Sequence, residues 1–321
     1  MRVAISRQQG LSLVEIMIAS VLALSLLAVL LTTSSRQVQM SRETMQLAML
    51  QQQGQLLLNL LQAELHQLGF WAGFSLDAMR QASAPEAMVV SECAIGSEQS
   101  GSFPEPGRPF IPLYSELGNQ GGVSCLGAIK PDSAILQWKR LLAQPHHYSE
   151  LAPNRYYLQI KADSLAIVDS SMASDAPEAE FWPYQHQLFY VQLQGDIPVL
   201  MRRRLIRNHA GQPRMHTDSV MDGVEILYFE FGIDSTLDGR ANYFLPLHQM
   251  DGAQWLQQES RIVAISYYVL LRSMEPDRQF VNEQWYPMGQ YGFQAPGDHY
   301  RRLALQGTQY FHNVALQLNG G

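Results

Sequence analysis

The chain has 321 residues, enough for one large domain or two ordinary ones with a sizeable core. Hydrophobic residues make up 46% and charged residues 16%, which excludes a wholly disordered chain, and 23 Gly and 16 Pro are too few and too scattered for a collagenous one. A formal net charge of −7 argues against a general nucleic-acid binder, so no nucleic acid is expected as a partner. Two Cys exclude a disulfide-dense scaffold and a multi-cysteine zinc site and leave room for a single bridge.

Residues 11–31 read LSLVEIMIASVLALSLLAVLL, an apolar run interrupted by one charge, Glu15. At about 1.5 Å per residue such a helix matches the thickness of a bilayer core. Arg2 and Arg7 precede it and a polar stretch from Thr32 to Arg36 follows, so the positive-inside rule puts residues 1–10 in the cytoplasm and the remainder across the membrane. A secretory signal peptide would have an apolar region of only about 7–15 residues ending at a small-x-small cleavage site. An acidic side chain within a membrane helix costs roughly 2.5–3.5 kcal/mol, and nothing basic stands at helical spacing from Glu15. Its cationic partner is expected from another chain or from a new amino terminus made by cleavage just upstream; the alternative is a carboxylate snorkelling to water at the membrane edge.

Gly10-Leu11-Ser12-Leu13-Val14-Glu15, after a short basic leader and before an apolar helix, resembles the class III signal of type IV prepilins and type II secretion pseudopilins. The resemblance implies that a membrane aspartyl prepilin peptidase cuts between Gly10 and Leu11 and methylates the new amino group. It also implies that Glu15 pairs with the amino terminus of a neighbouring subunit, an ion pair that makes a buried carboxylate tolerable. Leu11 departs from the Phe that begins most mature chains of this kind.

The helical period continues past the membrane. Val38, Met45, Met49, Leu56 and Leu60 form one stripe, and Leu57, Leu61, Leu65 and Leu68 an adjacent one. Gly69 is a suitable stop. The expected fold is α+β: a leader over 1–10, a helix over 11–69 that spans the membrane at 11–31, and a β-rich, pilin-like periplasmic head over 70–321 on which the second half of the helix packs.

From residue 70 the period changes to that of strands. These are expected at Ala134 to Trp138, Arg155 to Lys161, Leu188 to Leu193, Val199 to Ile206, Val224 to Gly232, Ile262 to Leu271 and Thr308 to Leu316. In the fifth, Ile226, Tyr228 and Glu230 share one face and Leu227, Phe229 and Phe231 the other. Two stretches read as loops, Gly96 to Gly122 and Ser170 to Glu180. Neither has the make-up of an interdomain tether, so one head domain is expected.

Leu188-Phe189-Tyr190-Val191, Leu200-Met201-Arg202-Arg203, Val220-Met221-Asp222-Gly223-Val224-Glu225, Phe231-Gly232-Ile233-Asp234, Asp238-Gly239 and the strand Val263 to Ser273 together resemble the PilW family of type IV pilus minor pilins. Phe311-His312-Asn313 departs from the Leu-Arg-Asn usual in that family. The resemblance implies a non-enzymatic subunit that helps initiate a pilus at or near its tip. Its partners would be other minor pilins, the major pilin, the prepilin peptidase and the inner membrane, and no cofactor is implied. A type II secretion minor pseudopilin is the alternative within the class, and a signal-anchored periplasmic enzyme or ligand-binding protein the alternative outside it.

Cys93 and Cys125 flank the first loop-rich stretch. In an oxidising periplasm their pairing is favoured, and closing such a loop is worth roughly 3–4 kcal/mol in the chain-entropy picture; two unrelated thiols are the alternative. Catalytic and metal motifs are absent from the sequence: there is no HExxH, GxSxG, Walker A loop or GxGxxG. Asp234, Asp238, Gly239 and Asn242 have oxygen ligands but not EF-hand spacing, and an Asp-Gly turn between two strands explains the same letters. Arg202, Arg203, Arg204 and Arg207 read as a solvated strand edge, with a subunit contact second.

Overall fold

The computed structural model describes residues 12–95, 100–162, 164–176 and 178–311. The leader, the expected cut between Gly10 and Leu11, and the part of the last expected strand beyond 311 lie outside the described residues. The chain divides into two compact units, residues 1–49 and 50–321.

A single helix, α1, runs from Leu13 to His66. No Pro interrupts it, and Gly69, with φ +75°, takes the left-handed conformation just beyond its end, as expected of a glycine stop. In the first unit every described side chain from Leu13 to Leu31 is exposed. In the second unit, Leu50, Leu57, Leu61 and Leu65 of the helix, with Leu68 just after it, are buried in the core. Of the two apolar stripes expected on the helix, only this one is covered. Met45 and Met49 are exposed, Leu56 is 55% exposed, and Leu60 is half-buried at the margin.

Among the described residues the head has thirteen strands. The first seven are β1 (Leu113–Leu117), β2 (Ala134–Leu141), β3 (Tyr156–Lys161), β4 (Ser164–Asp169), β5 (Glu180–Gln194), β6 (Ile197–Arg207) and β7 (Pro213–Asp222). They form one antiparallel sheet, with β5 pairing β2, β3 and β6, and β7 pairing β6. A second antiparallel sheet takes the order β13-β10-β8-β9, from β8 (Val224–Asp234), β9 (Tyr243–Pro246), β10 (Arg261–Arg272) and β13 (Arg302–Tyr310). A separate hairpin joins β11 (Trp285–Met288) and β12 (Tyr291–Gln294). Of two short α-helices among the described residues, α2 (Leu76–Arg80) lies between α1 and β1 and α3 (Gly252–Leu256) between β9 and β10.

Six of the seven expected strands are present, the seventh overlaps β13 only at Thr308–Tyr310 within the described residues, and several strands are longer than their apolar cores suggest. The stretch at Leu188 belongs to a 15-residue strand that begins at Glu180. The expected loop 96–122 is corrected in part, because it contains β1, whose five residues pair in register with Ala134–Trp138.

The second sheet explains the continuous burial of β8. Leu227, Phe229 and Phe231 face the same way as their register partners Val269, Tyr267 and Ile265, and as Leu271, Leu303 and Leu305 beyond them. Helix α1 lies on that face. At Gly54 the approach is so close that an added Cβ would stand 2.8 Å from Leu305 Cδ1. On the other face Tyr228 stacks on Tyr291 with centroids 4.9 Å apart, and Glu230 accepts hydrogen bonds from the Gln290 N–H (2.7 Å) and the Tyr268 hydroxyl (3.1 Å). The β11–β12 hairpin therefore covers what would otherwise be a solvated face.

The first sheet is also buried on both sides. Leu136, Trp138, Phe189 and Val191 share a core with α1 and the second sheet, and the Arg140 guanidinium donates to the Glu64 carbonyl and carboxylate of the helix. The alternate residues Ile135, Leu188 and Tyr190 face a second core, filled by Trp71, Met79, Phe103, Phe110 and Val123 from the segment between α1 and β2.

This register of the helix is testable by urea unfolding. Leu57→Ala removes a fully buried side chain and is expected to cost about 2–5 kcal/mol, whereas Leu56→Ala, one position away and exposed, is expected to change stability by no more than about 0.5 kcal/mol.

Candidate assembly site

The amino-terminal end of α1 is built by a capping box. The Ser12 N–H donates to Glu15 Oε2 (2.9 Å), and the Glu15 N–H donates to Ser12 Oγ (3.2 Å). Glu15 thus has a partner within its own chain, and its negative charge sits where the helix dipole favours it. The Ser-x-x-Glu spacing that signals this pairing is present in the sequence.

Beyond Glu15 the helix needs little from its surroundings. The hydroxyls of Ser20, Ser25, Thr32, Thr33 and Ser35 donate to main-chain carbonyls three or four residues back, at 2.8–2.9 Å. Its most apolar window has a mean hydropathy of 2.6 and no buried residue, so α1 is long and apolar enough to cross a membrane.

In the head, Cys93 and Cys125 are joined in a disulfide. A buried polar cluster surrounds it. The Glu92 carboxylate accepts from the Cys93 N–H (2.7 Å), the Ser102 N–H (3.0 Å) and the Ser102 hydroxyl (2.8 Å). Ser102 Oγ also lies 2.8 Å from His186 Nδ1, and His186 Nε2 lies 2.6 Å from Gln137 Nε2, which donates to the Cys93 carbonyl. Nearby, Lys139 Nζ donates to Ser100 Oγ and the Ile111 carbonyl, each at 3.0 Å. Burial pushes the Lys139 amine down to about 7 against the opposing pull of Glu92, and holds the His186 ring well below its usual range with help from the Lys139 charge. A serine beside a histidine and a glutamate resembles catalytic machinery, but Ser102 and His186 are both fully buried and a nucleophile needs a path to its substrate. The contacts serve the packing of the second core. The pattern is invisible in sequence, because its members come from β2, β5 and the segment before β1.

The arginine run does not lie on a sheet edge. Strand β6 pairs β5 on one side and β7 on the other. Arg202 and Arg204 both reach Asp218 of β7 (3.3 and 3.0 Å), Arg203 donates to Thr217 Oγ1 (2.8 Å) and the Cys125 carbonyl (2.7 Å), and Arg207 reaches Asp169 of β4 (2.9 Å). The repeated charge is consumed in cross-strand pairing.

Asp234 is fully buried, and its two oxygens accept from the Thr236, Asp238 and Gly239 N–H groups and from the Thr236 hydroxyl. Main-chain and hydroxyl donors organise this turn, with Gly239 at φ +84°. Among the described residues, no group of three or more His, Cys, Asp or Glu is placed to hold a metal.

Residues 188–313 match the family model of PilW, the type IV pilus-assembly protein W. That is a family of pilus-assembly proteins and not of enzymes. No curated protein and no solved structure matches the chain. The matched stretch begins within β5 and takes in every later strand of both sheets.

The buried amine makes stability depend on pH in a defined direction. Lys139 is held near 7 in the folded chain, while a lysine in the unfolded chain titrates near 10.4. Between those values the unfolded state binds more protons, so stability rises with pH. Urea midpoints are expected to climb from about pH 7.5 to about 9.5, and Lys139→Met is expected to flatten that slope, whatever its effect on the overall level.

Proposed function

We propose that this chain is a PilW-family minor pilin that takes part in assembling or initiating a type IV pilus at or near its tip. In this reading residues 1–10 are a cytoplasmic leader removed by the prepilin peptidase, α1 anchors the subunit in the inner membrane over residues 11–31, and the head folds in the periplasm. After assembly the subunit resides in the fibre, against other minor pilins and the major pilin.

The observation that carries the proposal is the joint occurrence of two features on one chain. The PilW match falls on the strands from β5 to β13, and α1 presents an uninterrupted apolar run with a carboxylate five positions after Gly10. A periplasmic enzyme anchored by a signal helix has no need of that carboxylate. The pilus-assembly character of the matched family favours a pilus over the type II secretion reading.

Glu15 has two roles in this scheme. In the isolated subunit its carboxylate is occupied by Ser12. In the fibre it would trade that neutral donor for the ammonium group of a neighbouring subunit, a charge-assisted contact that is stronger in a medium of low dielectric. The local cap keeps the side chain satisfied until the partner arrives.

Glu15→Ala is therefore expected to leave head stability unchanged, to hold or raise the level of the subunit in membranes, and to lower its incorporation into pili. Immunoblots of sheared fibres against the membrane fraction measure this. Normal incorporation would show that the carboxylate only caps the helix. Amino-terminal sequencing of the membrane-extracted chain is expected to begin at Leu11, and a start at Met1 or beyond residue 31 would contradict the prepilin assignment.

A further inference from the structure

The two cores of the head do not close on each other everywhere. A cavity of about 220 Å³ is left where they meet, just after the end of α1. Its apolar wall comes from both: Leu68, Leu113, Ile262 and Phe311 belong to the core shared by α1 and the sheets, and Trp71 and Leu76 to the second core. Ser75, which is exposed, and Arg261, which is half-buried, mark its mouth. A gap of this size is unusual, because interiors pack at the density of organic crystals and the atoms that line a void lose their dispersion partners. An apolar cavity of about 150 Å³ already takes up benzene.

Polar groups complete the lining. Gln257, the carboxy-terminal cap of α3, is only 6% exposed; its Oε1 accepts from the Ile262 N–H (3.1 Å), and its amide nitrogen has no partner among the described residues. The Arg261 guanidinium donates through Nη1 to the Gln257 carbonyl. That leaves its Nε–Nη2 edge, the fork that matches a carboxylate, without a partner among the described residues. The arginine nearby is used differently. Arg80 donates to the Leu256 carbonyl (2.5 Å) and is neutralised by Asp77 (2.6 Å), whereas no described carboxylate pairs with Arg261. Lys139 also lines the cavity, but its amine is taken up by Ser100 and Ile111. Every charged side chain among the described lining residues is thus cationic.

We propose that this cavity is a binding site for a small monocarboxylate with an apolar body about the size of a phenyl ring. The carboxylate takes the Nε–Nη2 edge of Arg261 and the amide of Gln257, and the apolar body fills the space between Trp71, Leu76, Ile262 and Phe311. Both halves of the ligand are needed. A bare anion gains little from a half-exposed arginine and does not fill an apolar hole, and a plain hydrocarbon leaves the guanidinium and the amide unpaired. The bound acid bridges the segment after α1 to the first residues of β10, so it joins the two cores where they are otherwise apart.

Ligand-observed fluorine NMR on the full-length chain in detergent micelles tests this, with para-fluorobenzoate as the probe, para-fluorobenzamide as its neutral counterpart and protein-free micelles as the baseline. The acid is expected to show saturable line broadening that unlabelled benzoate reverses, and the amide to bind about tenfold more weakly or not at all. Arg261→Gln is expected to weaken binding of the acid by about tenfold or more. Leu76→Trp, which fills the apolar end of the cavity, is expected to remove binding of the acid with Arg261 still in place. Circular dichroism without probe establishes which variants fold, and either folded variant decides the matter alone. No saturable binding of the acid up to about 10 mM, a weak affinity even for so small a ligand, would overturn the proposal. Equal affinities for acid and amide would overturn it as well, by showing an apolar hole that does not recognise charge, and so would undiminished binding of the acid to a folded variant.

Discussion

Five leucines set the terms for the head. Leu50, Leu57, Leu61, Leu65 and Leu68 form one apolar stripe at the carboxy-terminal end of α1, and a single sheet cannot cover it from the sides as well as from below. The structure resolves this by placing the helix against two sheets. Leu303, Leu305 and Leu271 of the second sheet come up to Gly54, where the missing side chain allows the closest approach, while Arg140 of the first sheet reaches the helix backbone and carboxylate at Glu64. Everything else follows from that arrangement. Both sheets now have a second face to cover, and the chain supplies the β11–β12 hairpin for one and the disulfide-linked segment before β2 for the other. Removing a single buried leucine leaves a cavity shared by three layers, which is why a large cost is expected at Leu57 and almost none at the adjacent Leu56.

The same helix is chemically different before Leu50. There its described apolar side chains are exposed, and the hydroxyls of Ser20, Ser25, Thr32, Thr33, Ser35 and Thr44 donate to its own carbonyls. A segment that satisfies its own polar groups and leaves its apolar ones uncovered is suited to lipid or to other apolar helices and poorly suited to water. One element therefore joins a core that is complete within the chain to a surface that is not. In the proposed pilin role these are the two parts a fibre subunit needs, a head that folds alone and a helix that is finished only by its surroundings.

How much of this could be read in the sequence depended on the length and polarity of each element. Helix α1 and strands β2, β8 and β10 are long and carry apolar residues on one or both faces, so their period is plain. Strand β7 is not, because His216, Thr217 and Asp218 pair with the arginines of β6 and leave little apolar signal. The arginines themselves looked like an edge because the partner strand was hidden. Strands β11 and β12 have four residues each, include Pro287 and Gly292, and depend on packing over Tyr228 and Glu230 that no local pattern encodes. Strand β1 lies in a stretch rich in Ser, Gly and Pro and exists because β2 offers it an edge. At the candidate site, the charge of Glu15 and the cysteine pair were legible, and the capping partner Ser12 was visible but unread. The Glu92, Ser102, His186 and Lys139 cluster was not legible, since β2, β5 and the segment before β1 meet there only after folding.

In the proposed role, a chain with a self-sufficient head and an uncovered apolar helix is a component of the fibre and not only of the membrane. Quantitative mass spectrometry of sheared, purified pili from cells that make this protein tests it most directly. Peptides from the head are expected in the fibre fraction, in amounts far below those of the main subunit. Abundant head peptides in the membrane fraction with none in the fibres would contradict the account.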